Sequence, residues 1–547
     1  MPRGDHGAAA LRSRGREAPV MSVTSGDGQP APSEAAAPSG RRRDRGGRAT
    51  RSAGAPDFTP IPRLRVPWAP LDILSAEQIE RVLDGAYRVL AETGLEIRSP
   101  EARTIYARAG ALVDDETQIV RLGRDIVEAA LAHAPAEFVL HARDPARHLH
   151  VGGNTVNFGP VNGAPNITDR EGGRRYGDIA AFRDILKITH RLGILHWQGG
   201  IVVEPTDRPV PSRHLDCYLA HVECSDIVWA ARGVGRPQAE DALAMSAIEH
   251  GCSIDDLALR PTLMTVTNVN SPRRVDEEIL ASIMTLAAAG QCVVITPFTL
   301  MGAMAPVTLA GALVQQTAEQ LAVVALCQLV RPGAPTVLGG FTSNVDMRTG
   351  SPAFGTPEYV RACLATAQLG RRLRLPVRTS AVNASPAVDA QSTYETFFSL
   401  QAAILSHSHL INHAAGWLEG GLAASMEKIV VDAEMLRGWA EILKPLAFSD
   451  DELAVDAIAG VPAGGHFFGA AHTLARYETA FYRPLLSDWS NYENWRDAGA
   501  RDATVRATDI WKRARDEWVA PPLDPAIREA LAAYVARRRE ELERTAA

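Results

Sequence analysis

From about residue 154 onward, short and continuously apolar runs alternate with longer stretches whose apolar positions recur roughly every three to four residues. The first pattern is typical of parallel strands buried on both faces, and the second of amphipathic helices. The predicted strands are 155–159, 198–203, 227–231, 262–268, 292–297, 336–341, 377–381 and 410–413. The helices predicted between them are 178–192, 211–222, 237–250, 272–289, 308–330, 357–373 and 389–406.

This alternation predicts an α/β fold in which eight strand–helix units close into a (β/α)8 TIM barrel. An open, doubly wound sheet is the alternative interpretation. A dinucleotide site of the kind that such sheets often carry is poorly supported, because the glycine pairs at 199–200 and 339–340 do not form GxGxxG.

The regions outside the alternation divide the chain into four predicted segments. Residues 1–60 are rich in Arg, Gly and Pro and almost free of aromatic residues, so we expect a disordered leader. Residues 61–150 predict an N-terminal helical cap, and the pair Ser75 and Gln78 predicts a capping box at its first helix. The barrel is assigned to 151–423 and a C-terminal helical extension, packed on the barrel, to 424–547.

Composition narrows the class of protein. A hydrophobic content of 46% and a charged content of 22% are ordinary for a soluble globular protein. The net charge of -7 argues against nucleic-acid binding by the folded body. Six cysteines without CxxC spacing predict reduced thiols in a cytoplasmic protein. We expect no membrane span, because the apolar run at 321–330 is too short and contains Gln328.

Polar side chains collect where the predicted strands end, which in a barrel is the face that carries active sites. They are Asn157, Glu204, Arg232, Asn268, Asn270, Thr296, Thr299, Thr342, Asn344, Asp346, Thr379, Asn383 and His413. This rim is rich in neutral hydrogen-bonding groups and poor in paired carboxylates, unlike that of a glycosidase. The chain also lacks GxSxG, HExxH and P-loop motifs, which argues against serine hydrolysis, zinc proteolysis and nucleotide hydrolysis.

The stretch 375–422 holds the candidate catalytic residues. Asp389 stands where a helix N-cap belongs, and Gln391 and Glu395 follow four positions apart on one helical face. Together with Asn383, these residues are predicted to shape the floor or rim of a pocket.

The candidate substrate-binding residues combine aromatic, hydroxyl and imidazole groups. Aromatic faces attract quaternary ammonium groups, although packing inside the protein is the more common role of such side chains. The candidates are Phe298, Phe341, Thr379, His413, Trp417, His466 and His472. No metal site is predicted, because a strand at 409–412 would alternate the faces of the HxHxxxH residues His407, His409 and His413.

Several motifs together resemble the trimethylamine methyltransferase (MttB) superfamily of corrinoid-dependent methyltransferases, from about residue 69 to the C-terminus. They are NTVNFGPVNGAPNITDREGGRRYGDIAAF at 154–182, GGFTSNVDMRTGSPAFGTPEY at 339–359, DAQSTYET at 389–396, INHAAGWLEGGLAASMEKIVVDAEML at 411–436 and GGHFFGAAHT at 464–473. No residue stands for pyrrolysine, so the chain resembles the branch that lacks it and is similar to glycine betaine:corrinoid methyltransferases. It departs from the pattern of the family at His407 and His409, where small residues and Asn are expected.

The resemblance implies methyl transfer from a quaternary or tertiary methylated amine, such as a betaine, to the Co(I) of a separate corrinoid protein. The cobalamin would be supplied by that partner, with no cofactor tightly bound to this chain, and a homo-oligomer is a further expectation. Two alternatives stay open: a barrel enzyme of other chemistry, such as a lyase or isomerase, and a non-catalytic protein that binds a methylated amine.

Overall fold

Eight parallel strands form the centre of the molecule. The computed structural model describes residues 56–61 and 63–546, and the predicted leader lies mostly outside these residues. The barrel strands are β1 (Thr155–Phe158), β2 (Trp197–Gln198), β3 (Val228–Ala231), β4 (Leu263–Val269), β5 (Cys292–Pro297), β6 (Thr336–Gly339), β7 (Val377–Ser380) and β8 (Leu410–Asn412).

The strands are arranged as a closed ring. The sheet runs β1-β8-β7-β6-β5-β4-β3-β2, and every neighbouring pair in that series is parallel. His196, directly before β2, closes it: its backbone N–H donates to the Phe158 carbonyl at 2.8 Å, and its ring Nδ1 accepts from the Phe158 N–H at 2.9 Å. The predicted (β/α)8 barrel is therefore confirmed, and the open sheet is wrong.

Helices follow the strands around the outside. They are α1 (Ile179–Leu192), α2 (Arg213–Cys224), α3 (Arg236–His250), α4 (Glu277–Ala288), α5 (Leu309–Val330), α6 (Pro357–Leu373), α7 (Ala390–Leu405) and α8 (Met426–Ile442). Side chains that point out of the ring pack against them, as Val377 does beneath Gly370 of α6. Helix α5 is long and apolar enough to cross a membrane, but 72% of that stretch is buried within the protein, as in the core helix of a soluble protein.

Side chains that point into the ring form a separate apolar cluster at its N-terminal end. Val337 and Leu410 belong to it, together with Trp197 and residues of β3, β4 and β5. A hairpin of two short strands, Phe138–Leu140 and Leu149–Val151, packs into the same cluster and closes this end of the barrel. The opposite end, where the strands terminate, is the mouth.

The N-terminal part covers one side of the barrel with helices and a small sheet. Ser75 caps the first helix, and the predicted capping box with Gln78 is confirmed. The helices are Ala76–Arg88, Val89–Thr93, Pro100–Arg108 and Arg124–Leu131, and the strands are Leu64–Arg65, Leu95–Ile97, Leu112–Asp114 and Ile119–Arg121. Tyr106 ties this part to α5, because its hydroxyl donates to the Ala322 carbonyl at 2.9 Å.

The C-terminal part is mostly helical. Its helices are Asp450–Leu453, Val455–Ala459, Ala471–Arg476, Tyr492–Asp497, Ala503–Asp516 and Pro525–Ala546. Two of them pack on the barrel helices: Trp511 donates to Glu427 of α8 at 2.8 Å, and Tyr534 donates to Asp241 of α3 at 2.7 Å. The division of the chain into four segments stays a prediction.

Two predicted elements differ from the structure by about five residues at one end, and the others by fewer. Strand β2 ends at Gln198 and not at residue 203, because the chain turns at Gly199 and Gly200, where a Cβ on Gly200 would lie 3.0 Å from the Ala230 carbonyl oxygen. Helix α4 begins at Glu277 and not at residue 272, because Arg274–Val275 forms a strand that pairs with Leu95–Ile97. Neither change alters the order of the barrel.

Candidate active site

Five aromatic rings pack together at the mouth, on the side of β5 to β8. They are Phe298, Phe341, Phe354, His413 and Trp417, which we call the mouth cluster. Phe341 lies at its centre, with ring centroids 5.3 Å from Phe298, 5.5 Å from Phe354, 5.7 Å from His413 and 6.3 Å from Trp417. Phe341 meets His413 and Trp417 edge to face and meets the other two rings at a tilt, and both arrangements are attractive, so the cluster is preorganised.

His413 is the ionisable member of the mouth cluster. Its Nδ1 lies 3.1 Å from the Ser380 hydroxyl, and its ring centroid lies 4.0 Å from that of Trp417. Burial, together with the nearby Arg378 charge, holds the pKa of His413 well below its ordinary value. The imidazole is therefore neutral at physiological pH, and it adds no positive charge that would repel a cationic substrate.

Asn383 holds Trp417 in place through two hydrogen bonds. Its Nδ2 donates to the Trp417 carbonyl at 2.6 Å, and the indole N–H of Trp417 donates back to the Asn383 carbonyl at 3.2 Å. Gly421 follows with φ +102°, and a Cβ there would lie 2.4 Å from the indole ring. Asn383 therefore fixes an aromatic ring of the mouth, and its Oδ1 is buried without a hydrogen-bond partner among the described residues.

A buried ion pair supports Asn383 from α8. The ammonium group of Lys428 donates to Asp432 and, at 3.0 Å, to the Thr396 hydroxyl, which also accepts from Asn383 at 3.1 Å. Asp432 in turn accepts from the Gly416 N–H at 2.9 Å. Sequence analysis missed this pair; its signal is the spacing of Lys428 and Asp432, four apart on a helix that is apolar on several sides.

The other three candidate catalytic residues organise the loop after β7. Asp389 caps α7 and accepts from the Ser392 N–H at 2.9 Å, which confirms the predicted N-cap. Gln391 donates to Glu395 at 2.9 Å, and Glu395 accepts from the Ala384 N–H at 2.8 Å. These contacts hold the loop that carries Asn383, while Asp389 itself is exposed. Their catalytic role stays a prediction.

Three candidate substrate-binding residues do not join the mouth cluster. Thr379 lies on the helix-facing side of β7, because strand alternation gives the inward positions to Arg378 and Ser380. His466 packs near Phe468, with centroids 5.6 Å apart, and His472 bonds the Asp451 carbonyl at 3.1 Å. Both histidines thus make these contacts within the C-terminal part.

The HxHxxxH residues are separated along the barrel axis. His409 lies at the start of β8, where its Nδ1 accepts from the Val377 N–H at 3.0 Å and its Nε2 bonds the Gly153 carbonyl at 3.1 Å. His413 lies beyond the other end of that strand. Across residues 56–61 and 63–546, no group of three or more His, Cys, Asp or Glu residues is placed to hold a metal ion.

An inward-facing layer of polar side chains lies beneath the mouth cluster. Arg378 of β7 is 2% exposed and lies over the Phe341 ring at 5.2 Å. Burial lowers the pKa of its guanidinium to about 10, so it stays charged at neutral pH. Sequence analysis missed this residue, although an arginine within a predicted buried strand was a visible signal.

The chain is similar to known methyltransferases along most of its length. Residues 39–543 match the family described as trimethylamine methyltransferase (MTTB). The chain is 34% identical over 472 residues to the glycine betaine methyltransferase of Desulfitobacterium hafniense, which covers 86% of this chain and 98% of that protein. It is 28% identical to the trimethylamine methyltransferase MttB of the same species, over 85% of this chain and 94% of the relative.

Among solved structures, the monomethylamine methyltransferase MtmB of Methanosarcina barkeri aligns with a TM-score of 0.46 at 10% identity, over 81% of this chain and 91% of the other. The family match spans nearly the whole described part of the chain, including every element of the barrel and the mouth cluster. The chain belongs to the trimethylamine methyltransferase (MTTB) family.

Proposed function

We propose that this chain transfers a methyl group from a quaternary or tertiary methylated amine, such as a betaine, to the Co(I) of a corrinoid protein in the cytoplasm. The observation that carries the proposal is the mouth cluster, whose aromatic rings and neutral imidazole attract a cationic nitrogen and carry no charge of their own that would repel it. The identity with a glycine betaine methyltransferase supports a betaine as the methyl donor. Six free cysteines suit a reducing compartment.

The residues of the mouth act by positioning. Aromatic rings attract a quaternary ammonium group by about 0.5–2 kcal/mol each, more where water is excluded. Phe341, Trp417 and neutral His413 would hold the methylated nitrogen at the mouth with one methyl directed outward. Because Asn383 and the Lys428–Asp432 pair fix Trp417, little ordering of the site remains to be done when the substrate binds.

The transfer needs little further chemistry from the protein. Co(I), when the corrinoid partner is docked, supplies the nucleophile. The bond from the methyl carbon to nitrogen breaks with its electron pair staying on nitrogen, so a quaternary substrate leaves as a neutral tertiary amine. No proton has to be donated, which fits a mouth in which His413 is neutral and paired carboxylates are absent from the described rim.

The test follows methylcobalamin formation spectroscopically. Purified protein is mixed with Co(I) cobalamin, or with a corrinoid protein encoded nearby, and with a panel of betaines, choline, tetramethylammonium and trimethylamine. We expect turnover with at least one quaternary amine. Binding of a methylated amine without any turnover would support the non-catalytic alternative, and conversion of the substrate without cobalt methylation would support another barrel enzyme.

Substitution of Phe341 by leucine is expected to lower kcat/KM for the quaternary amine about 5–30-fold, because the cation loses about 1–2 kcal/mol of attraction to the ring. The matched control is Phe398→Leu on α7, where the ring is 49% exposed. We expect no change in kcat/KM for this control, and equal effects of the two substitutions would contradict a binding role for the mouth cluster.

A further inference from the structure

The charge of Arg378 is buried without a balancing acid. Among the described residues, Tyr359 is the ionisable neighbour that favours the charged form, and neither Nε nor Nη1 of the guanidinium has a hydrogen-bond partner. The contact with the Phe341 ring at 5.2 Å offsets part of the cost. Burying a guanidinium without hydrogen bonds is costly, and proteins normally pair such a charge with an anion.

Strand register shows where this charge faces. Val377 packs outward against α6, so Arg378 points into the ring, and it stands in register with Gly339 of β6 and Leu410 of β8. Leu410 belongs to the apolar cluster at the closed end. Arg378 therefore lies between that closed end and the mouth cluster, where a substrate entering from the mouth would reach it last.

Two further inward-facing polar side chains lack partners in the described structure. They are Thr296 at the end of β5, whose hydroxyl is unpaired, and Asn412 at the end of β8, whose amide nitrogen and oxygen are both unpaired. Gly339 of β6 stands in register with Arg378 and packs closely against Thr296, since a Cβ there would lie 2.1 Å from the Thr296 hydroxyl oxygen. The unpaired groups include N–H and O–H donors from three strands, the set that an anionic oxygen requires.

We propose that Arg378, with Thr296 and Asn412, binds the carboxylate of a zwitterionic betaine whose methylated nitrogen rests on the mouth cluster. This inference rests on the proposed function and names its substrate class. A carboxylate neutralises the guanidinium and accepts its hydrogen bonds, and charge-assisted bonds of this kind are the strong ones. A substrate that is only cationic, such as tetramethylammonium, would be attracted by the Phe341 ring. It would also be repelled by the unpaired charge of Arg378 on the other side of that ring.

The experiment measures binding of three ligands to the full-length protein by isothermal titration calorimetry. Glycine betaine carries both charges, and its primary amide keeps the quaternary nitrogen but replaces the carboxylate. Tetramethylammonium also has the quaternary nitrogen but has neither a carboxylate nor an amide. We expect glycine betaine to bind at least 30-fold more tightly than either of the others. Equal affinity for glycine betaine and its amide would overturn the proposal without any variant.

Two variants test the residue itself. Arg378→Met should weaken glycine betaine binding at least 30-fold while leaving the amide unchanged or improved, and Arg378→Lys should retain part of the preference because it keeps the charge without the paired donors. The control is Arg437→Met, a buried arginine of α8 that bonds the Leu192 carbonyl at 3.3 Å. Unchanged betaine binding in Arg378→Met would contradict the proposal, and if that variant fails to fold, the lysine variant and the amide comparison decide.

The outcomes also separate this inference from the proposed function. Turnover of tetramethylammonium or choline in preference to betaines would leave methyl transfer standing and reject the carboxylate site. If no methylated amine reacts, but propionate raises the melting temperature of the wild-type protein and not of Arg378→Met, the anion site stands and methyl transfer is rejected.

Discussion

Acidification from pH 6.5 toward pH 4 is expected to unfold the protein. Burial lowers the pKa of His196, His221 and His409 to about 4 in the folded state, whereas unfolded histidine titrates near 6.5. In this window the unfolded chain binds protons that the folded one cannot, so stability is fully present above pH 6.5 and is lost as the pH falls. At pH 5 the three residues together remove about 6 kcal/mol, comparable to the whole stability of a typical domain.

The geometry of two of these residues explains why protonation is so unfavourable. Nδ1 of His196 accepts from the Phe158 N–H, and Nδ1 of His409 accepts from the Val377 N–H, while the Nε2 atoms face the carbonyls of Ile61 and Gly153. A second ring proton on Nδ1 would point at a backbone N–H. Protonation therefore breaks a hydrogen bond between neighbouring strands in addition to charging a buried ring.

Urea unfolding followed by tryptophan fluorescence from pH 8 to pH 4.5 measures the slope of the free energy of unfolding against pH. His409→Asn keeps one acceptor and one donor at the position but cannot titrate, so we expect its unfolding between pH 4 and pH 6.5 to take up about one linked proton fewer. His133→Asn, on an exposed side chain, should leave the slope unchanged. A free energy of unfolding that stays flat between pH 6.5 and pH 5 would show that these rings do not control acid stability.

The order of the barrel was accessible from sequence because most strands lie in short runs rich in apolar residues and the helices between them repeat with a period of three to four residues. The end of β2 was not, since Ile201, Val202 and Val203 continue the apolar run after the chain has turned at Gly199 and Gly200. Their burial comes from the loop packing into the core and not from strand pairing. Hydrophobicity reports burial, and strand pairing has to be inferred from other signals.

In the candidate site, contacts between residues close in sequence could be predicted, whereas the direction in which strand side chains point could not. Spacing along a helix was enough to pair Gln391 with Glu395 and to place Asp389 at a cap, because these are local contacts. Whether a strand residue belongs to the site depends on the side of the strand on which it lies. Thr379 points to a helix, and its neighbour Arg378 points into the barrel. One residue of register reverses a side chain in a strand, so a rim residue cannot be chosen from strand position alone.

Replacement of Lys428 by methionine is expected to lower the free energy of unfolding by about 3–5 kcal/mol, because it leaves the Asp432 carboxylate buried beside no cation. Both side chains are at most 1% exposed. Burial already raises the pKa of Asp432, and without Lys428 this carboxyl would take up a proton more readily still. A carboxyl with a raised folded-state pKa contributes less stability as the pH rises, so the deficit of the variant should be larger at pH 8 than at pH 5.

The comparison that isolates the ion pair uses Lys444→Met, which removes an exposed lysine paired with Glu441 at 2.7 Å just beyond the same helix and should cost about 0–1 kcal/mol. In the double variant Lys428→Met/Asp432→Asn no buried charge remains, and the asparagine oxygen can still accept from the Gly416 N–H, so much of the lost stability should return. Because Lys428 also holds Thr396, and Thr396 holds Asn383, kcat/KM should recover less than stability does. If Lys428→Met were as stable as Lys444→Met, the predicted contribution of the buried ion pair to stability would be contradicted.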